Sequence, residues 1–254
     1  MTIAHHPDEA TLMSLSAGAL PAALALAVRC HLETCACCRR KLAEMDLIGS
    51  ALLDGLGASA LQAPPPTAGE RILPAPLWDK AQKAGTNPAT ATAPPLRTAA
   101  GARMPRPPAP GHAEDLAGDI DGDQPLPRAL IPHVRGATMR SIRWSRLGLG
   151  VWQMRLDGFG GDLGDARLVR VAPGAVLPDH GHDGTELTMV LAGSYADAHG
   201  TYRAGDLCEL DDATSHQPIA DPREGCVCLL ASERPAKFAG LLPRLLQPLW
   251  DSRA

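Results

Sequence analysis

Between Gly174 and Gly193 the chain places two histidines and a glutamate at a spacing that few folds can use. The run is Gly174, five residues, His180-Gly181-His182, three residues, Glu186, six residues, Gly193. A second run follows, Gly205, ten residues, His216. Two histidines at alternate positions of a strand point to the same side. Glu186 falls just beyond the turn after that strand, and a returning strand can supply His216. The glycines mark where the chain folds back. Three imidazoles and one carboxylate make a ligand set for one metal ion. The pattern therefore demands an antiparallel β fold that brings His180, His182, Glu186 and His216 together.

Around this segment the apolar period is two. Val151–Leu156, Arg167–Ala172, Glu186–Leu191, Leu207–Leu210 and Val227–Leu230 read as strands separated by Gly, Asp and Pro turns. Residues 8–84 read differently. Asp8 is a helix cap for a run through Leu12, Leu15 and Ala19. Pro21 suits the first position of a second helix that ends near His31. A third helix is expected from about Cys35 to Leu56, with Leu42, Met45, Ile48, Leu52 and Leu56 as its apolar positions. A short fourth piece, about Pro76–Lys83, carries Leu77 and Trp78. From Thr86 to Pro127 the composition turns to Pro, Ala, Gly and Thr, with acids near 114–123, and reads as a linker. The organisation expected is multidomain, α and β: a helical bundle over 1–85, a linker over 86–127 and a β domain over 128–254.

The helical part has its own ligand cluster. In His31-x3-Cys35-x2-Cys38, residues 35 and 38 share one face of a helical turn, and His31 arrives from the preceding helix. Two thiolates and an imidazole are three-quarters of a structural zinc tetrahedron. His5 and His6 are both placed to complete it. Cys37 faces away, and Cys30 reads as a small packing residue. A bundle with only two Phe, two Tyr and four Trp in the whole chain needs such a staple. Seven cysteines, four of them within nine residues, suit metal or redox chemistry in a reducing cytoplasm better than a disulfide framework. A net charge of −4, dispersed along the chain, leaves no basic stripe for direct nucleic-acid binding. No signal peptide is evident at the N-terminus, and the apolar run near Ala22–Val28 is too short to span a bilayer. A cytoplasmic location with no membrane attachment is expected.

These motifs together carry a resemblance. His31-x3-Cys35-x2-Cys38 with an N-terminal histidine resembles the zinc anti-sigma domain. Gly174–Gly193 and Gly205–His216 match the two cupin motifs. The combination resembles ChrR-type anti-sigma factors over essentially the whole chain except the linker. The resemblance implies an N-terminal all-α helical bundle and a C-terminal cupin β-barrel of jelly-roll type. It implies zinc held by His6, His31, Cys35 and Cys38, the second histidine of the opening Met-Thr-Ile-x-His-His pattern taking the ligand role. In the cupin it implies His180, His182, Glu186 and His216 as ligands of zinc, with iron, manganese or nickel as alternatives. The partner implied is an extracytoplasmic-function sigma factor, held as a 1:1 heterodimer and released on oxidative stress of the singlet-oxygen type, with the cupin as sensor. Cys226-x-Cys228 matches a pair found in this family after the last cupin ligand. Asp211 and Ala213 stand where the general cupin pattern has Pro and Gly, which argues against an enzymatic cupin. The alternative activity for such a ligand set is a metal-dependent dioxygenase or isomerase. A further alternative makes the Cys30–Cys38 cluster itself a redox-responsive zinc switch. Cys208 and His199 read as structural or surface residues.

Overall fold

A computed structural model describes residues 2–55, 124–134, 136, 138–234 and 237–238. The expected helix at Pro76–Lys83, with Leu77 and Trp78, and the linker as far as residue 123 lie outside the described residues. The described residues up to Ala51 and those from residue 124 onward belong to one compact unit.

Three helices open the chain. Helix α1 is Glu9–Ser16, capped by Asp8, whose side chain accepts from the Thr11 N–H at 2.6 Å. Helix α2 is Ala22–Thr34, and α3 is Ala36–Gly55. Pro21 occupies the cap position of α2, where its missing N–H costs nothing. The helices thus begin close to where the capping signals place them. Their burial departs from the helical rhythm in one respect. Leu12 and Met45 pack inward, but Ile48 and Leu52, expected on the apolar face of α3, are exposed.

Beyond residue 124 the structure is antiparallel β. The strands are β1 (Ser145–Gly148), β2 (Val151–Arg155), β3 (Asp165–Val171), β4 (His180–Gly181), β5 (Glu186–Ala196) and β6 (Thr201–Arg203). They continue as β7 (Leu207–Leu210), β8 (Ser215–His216), β9 (Ile219–Ala220), β10 (Cys226–Ser232) and β11 (Lys237–Phe238). The larger sheet runs β1-β2-β3-β10-β5-β6, with β7 and β9 also pairing with β5. A three-stranded sheet runs β11-β4-β8. Its register sets His180 directly opposite His216.

Strands β3, β5 and β10 are buried along most of their length because both faces of the sheet are covered. One set of alternate side chains, Leu168, Leu187, Met189, Val227, Leu229 and Ala231, shares a core with Leu24, Leu26, Ala27 and Val28 of α2. The other set, Val169, Val171, Val190, Cys226 and Cys228, faces a second core with Tyr195, Tyr202 and Cys208. This explains the character of α2. Every residue from Ala23 to Val28 is buried, since a helix apolar all round needs neighbours all round. Here it lies against β10, β5, β3 and β7 as well as in the helical core. At the edge of this packing, Glu33 accepts hydrogen bonds from the N–H groups of Arg128 (2.8 Å) and Ala129 (2.7 Å).

Two turn glycines allow close backbone passage on the sheet. Gly193 has φ +68°, and a Cβ there would lie 2.2 Å from the Gly225 carbonyl oxygen. Gly225 has φ +72° and faces the Val171 carbonyl oxygen in the same way. Only glycine permits both the left-handed conformation and the approach.

Candidate metal centres

The first centre is assembled from three short segments. His6 sits on the extended chain before α1, His31 in the last turn of α2, Cys35 at the cap of α2 and Cys38 in the first turn of α3. His6 Nδ1 lies 3.4 Å from His31 Nε2, from Cys35 Sγ and from Cys38 Sγ. His31 Nε2 is 3.3 Å from Cys38 Sγ. Ligands bonded to zinc at about 2.0–2.3 Å stand about 3.3–3.8 Å apart across the edges of a tetrahedron. Four of the six distances between the ligand atoms therefore fit tetrahedral coordination of one ion. His31 Nδ1 donates to the Gly205 carbonyl oxygen at 2.9 Å, which fixes the tautomer and leaves Nε2 facing inward. Burial holds the His31 imidazole down at about 4, so it stays neutral and available as a ligand. Burial and the neighbouring Cys35 push the Cys38 thiol up, a cost that a dication between the two sulfurs relieves. His6 is the exposed member of the group. His5 stands apart with its ring against Tyr202. Cys37 is exposed and Cys30 is buried in the apolar core, as their spacing suggested.

The second centre is wholly buried. His180 comes from β4, His182 from the residue just beyond it, Glu186 from the start of β5 and His216 from β8. In each group the ligand atoms lie within 4.8 Å of one another. His180 Nε2 and His216 Nε2 face each other at 3.2 Å. Their outer nitrogens are both engaged: His180 Nδ1 donates to the Pro178 carbonyl oxygen (2.9 Å) and His216 Nδ1 to Asp197 Oδ2 (2.8 Å). Each ring is thereby locked with its other nitrogen turned to the centre. Burial lowers the pKa of His180. Burial works the other way on Glu186, but the His182 imidazole, with His180 and His216, outweighs it and holds the carboxyl below its ordinary value.

The fit to a cation shows in what these side chains lack. Glu186 Oε2 is 3.2 Å from His182 Nδ1, without the alignment of a hydrogen bond. Both nitrogens of His182 and both oxygens of Glu186 are buried with no hydrogen-bond partner. Folded proteins rarely leave such atoms unpaired. A metal ion held by His180, His182, Glu186 and His216 would take up one nitrogen of His182 and the carboxylate of Glu186. A cavity of about 40 Å³ adjoins the site, lined by His180, Glu186 and His216 together with Tyr195, Cys226 and Cys228.

Asp197, which the sequence reading did not single out, orients His216. Its Oδ1 accepts the N–H groups of His199 and Gly200, at 2.8 and 3.0 Å, while Oδ2 takes His216. Burial opposes its ionised form, but these hydrogen bonds hold its pKa down. In Asp197-Ala198-His199-Gly200 the residue types announce a turn and conceal the second role.

Comparison with known proteins identifies the family. The chain is 33% identical over 250 residues to the anti-sigma-E factor ChrR of Cereibacter sphaeroides, spanning 98% of this chain and 99% of that protein. The chain belongs to the ChrR family of anti-sigma factors. Residues 134–235 match the ChrR Cupin-like domain. Among solved structures, that of Rhodobacter sphaeroides SigE in complex with the anti-sigma ChrR is similar, with a TM-score of 0.61 and 28% identity. The match covers 91% of this chain and 99% of that one. The helices followed by an antiparallel cupin sheet are thus the ChrR arrangement, as the two sets of motifs implied. Among the described residues no helix is long and apolar enough to cross a membrane.

Proposed function

We propose that this chain is an anti-sigma factor of the cytoplasm. It binds one copy of an extracytoplasmic-function sigma factor, keeps it from RNA polymerase and has no enzymatic turnover. The family membership and the sigma factor complex of the ChrR relative support this reading. The observation in this chain that carries it is the apolar face left open on the helices. Leu47 is 71% exposed, Ile48 61% and Leu52 68%, and Leu53 and Met13 are exposed as well. Apolar side chains at such density on a helix mark a partner surface.

Zinc is the metal we assign to His6, His31, Cys35 and Cys38, from the thiolate–imidazole donor set. We assign zinc to His180, His182, Glu186 and His216 too, in a sensory role. The cavity beside the second centre is far below the 300–1,000 Å³ or so of ligand pockets, which speaks against an organic substrate there. The imidazoles, with Cys226 and Cys228 lining the same cavity, put oxidisable groups beside the metal, as a sensor of singlet oxygen or a related oxidant requires.

The test is a charge placed on the open face. L47K/I48K should weaken capture of the co-encoded sigma factor at least about tenfold, as loss of a central apolar anchor does. Its metal content and unfolding midpoint should match those of the unaltered chain. Capture at undiminished affinity would remove α3 from the binding surface and overturn the reading.

A further inference from the structure

We infer that the cupin turn Gly205–Leu207 is a support for the first metal centre, and that Asp206 is its positioning residue. The inference rests on the metal reading of His6, His31, Cys35 and Cys38. It supplies a physical route between the two centres.

Two of the four side chains of the first centre are held by the cupin. His31 Nδ1 donates to the carbonyl oxygen of Gly205. His6 lies on a segment outside any helix, and its position depends on what fixes that segment. The N–H groups of Ala4 (2.7 Å) and His5 (3.1 Å) both donate to Asp206 Oδ1. The Leu207 N–H donates to the His5 carbonyl oxygen at 3.2 Å. On the far side of His6, the Asp8 N–H donates to Glu209 Oε2 at 2.9 Å. The chain is thus fastened to β7 and its turn on both sides of His6.

Asp206 is built for this task. It is 3% exposed, and its second oxygen accepts the Arg203 N–H at 2.9 Å, which fixes the carboxylate within its own turn. Gly205 has φ +94°, and a Cβ there would come within 3.0 Å of Ile3 Cγ1. The turn and the N-terminal segment are therefore in close contact where the hydrogen bonds form.

The same turn leads to the second centre. From Leu207, β7 pairs with β5 as far as Leu210, which lies opposite Glu186. One four-residue strand starts beside the Asp206 clasp and ends paired with Glu186 of the buried cupin group. A shift of β7 against β5 therefore moves the Asp206 clasp relative to Glu186. The cupin thereby sets how firmly the helical segment keeps its metal, through hydrogen bonds to the groups that carry His6 and His31.

Cobalt-loaded full-length protein tests this, because thiolate-to-cobalt charge transfer in the near ultraviolet reports Cys35 and Cys38, and the His180, His182, Glu186 and His216 group has no thiolate. Under a chelator challenge, D206A should lose that band roughly 10–100 times faster than wild type, the usual cost of removing an outer-shell partner. D206N, which keeps an oxygen acceptor, should restore much of the lifetime. D221A removes a like carboxylate, which accepts the Arg223 and Glu224 N–H groups in another cupin turn, and should behave as wild type. If D206A does not fold, A4P removes the 2.7 Å donor from the other side and should also hasten release. A wild-type lifetime in D206A, or in A4P where D206A does not fold, or equal acceleration by D221A, would overturn the inference while leaving the metal reading intact. Absence of the band from the wild-type protein would remove that reading and this inference with it.

Discussion

Stripping the metal from the cupin should leave His182 and Glu186 as buried groups without a hydrogen bond, and the cost can be worked out. The two residues are 4% and 2% exposed, and four of their polar atoms make no hydrogen bond. A buried group left unsatisfied costs about 1–3 kcal/mol, so the pair should cost the apo fold about 2–6 kcal/mol. At roughly 4 °C per kcal/mol for a domain of this size, that is a fall in melting temperature of roughly 8–24 °C. The proper comparison is the double substitution H182L/E186M, which removes both orphaned groups at similar volume. Replacing buried polar partners with apolar groups is often neutral or stabilising. With chelator present, both proteins lack metal at the first centre, so that loss cancels. The chelated wild type should then melt below the chelated variant, as followed by circular dichroism. Without chelator the order should reverse, because only the wild type keeps its cupin metal. If the chelated wild type melts at or above the variant, the unpaired atoms carry no cost and the argument for a cation at this site fails.

Two further outcomes follow from the same contacts. D197A frees the outer nitrogen of His216 and should lower cupin metal affinity about 10–100-fold with every ligand still in place, measured by competition with a chromogenic chelator. L24A opens a cavity in the core shared by α2 and the sheet and should cost about 2–5 kcal/mol, read from the urea midpoint at unchanged slope.

The two candidate ligand clusters could be read in the sequence because their geometry is mostly local. His180, His182 and Glu186 lie within seven residues, and His31, Cys35 and Cys38 within eight, so one short turn in each case brings them together. His216 joins from farther along through a register that places it opposite His180. What escaped notice acts through groups that residue type does not reveal. The Gly205 support is a backbone carbonyl, and Asp206 and Asp197 look like ordinary turn residues. The partners of Asp206, Ala4 and His5, stand about two hundred positions away. The rhythm of α3 located an apolar face, but a period cannot tell whether that face meets the chain's own core or another protein. Ile48 and Leu52 turned out to face outward. In α2 the absence of a polar side was visible in the letters, whereas the strands that cover it were not.

The burial of α2 between its own helices and the sheet has a consequence in time. Strand β10, against which it packs, begins 192 residues after α2 ends. At about 5–20 residues per second, translation takes about 10–40 s to reach it. For that interval the newly made helix has one apolar side in water, and its Gly205 and Asp206 supports have only lately been synthesised or do not yet exist. The segment synthesised first is therefore completed among the last, and its capture of metal during synthesis should lag behind the appearance of its ligands.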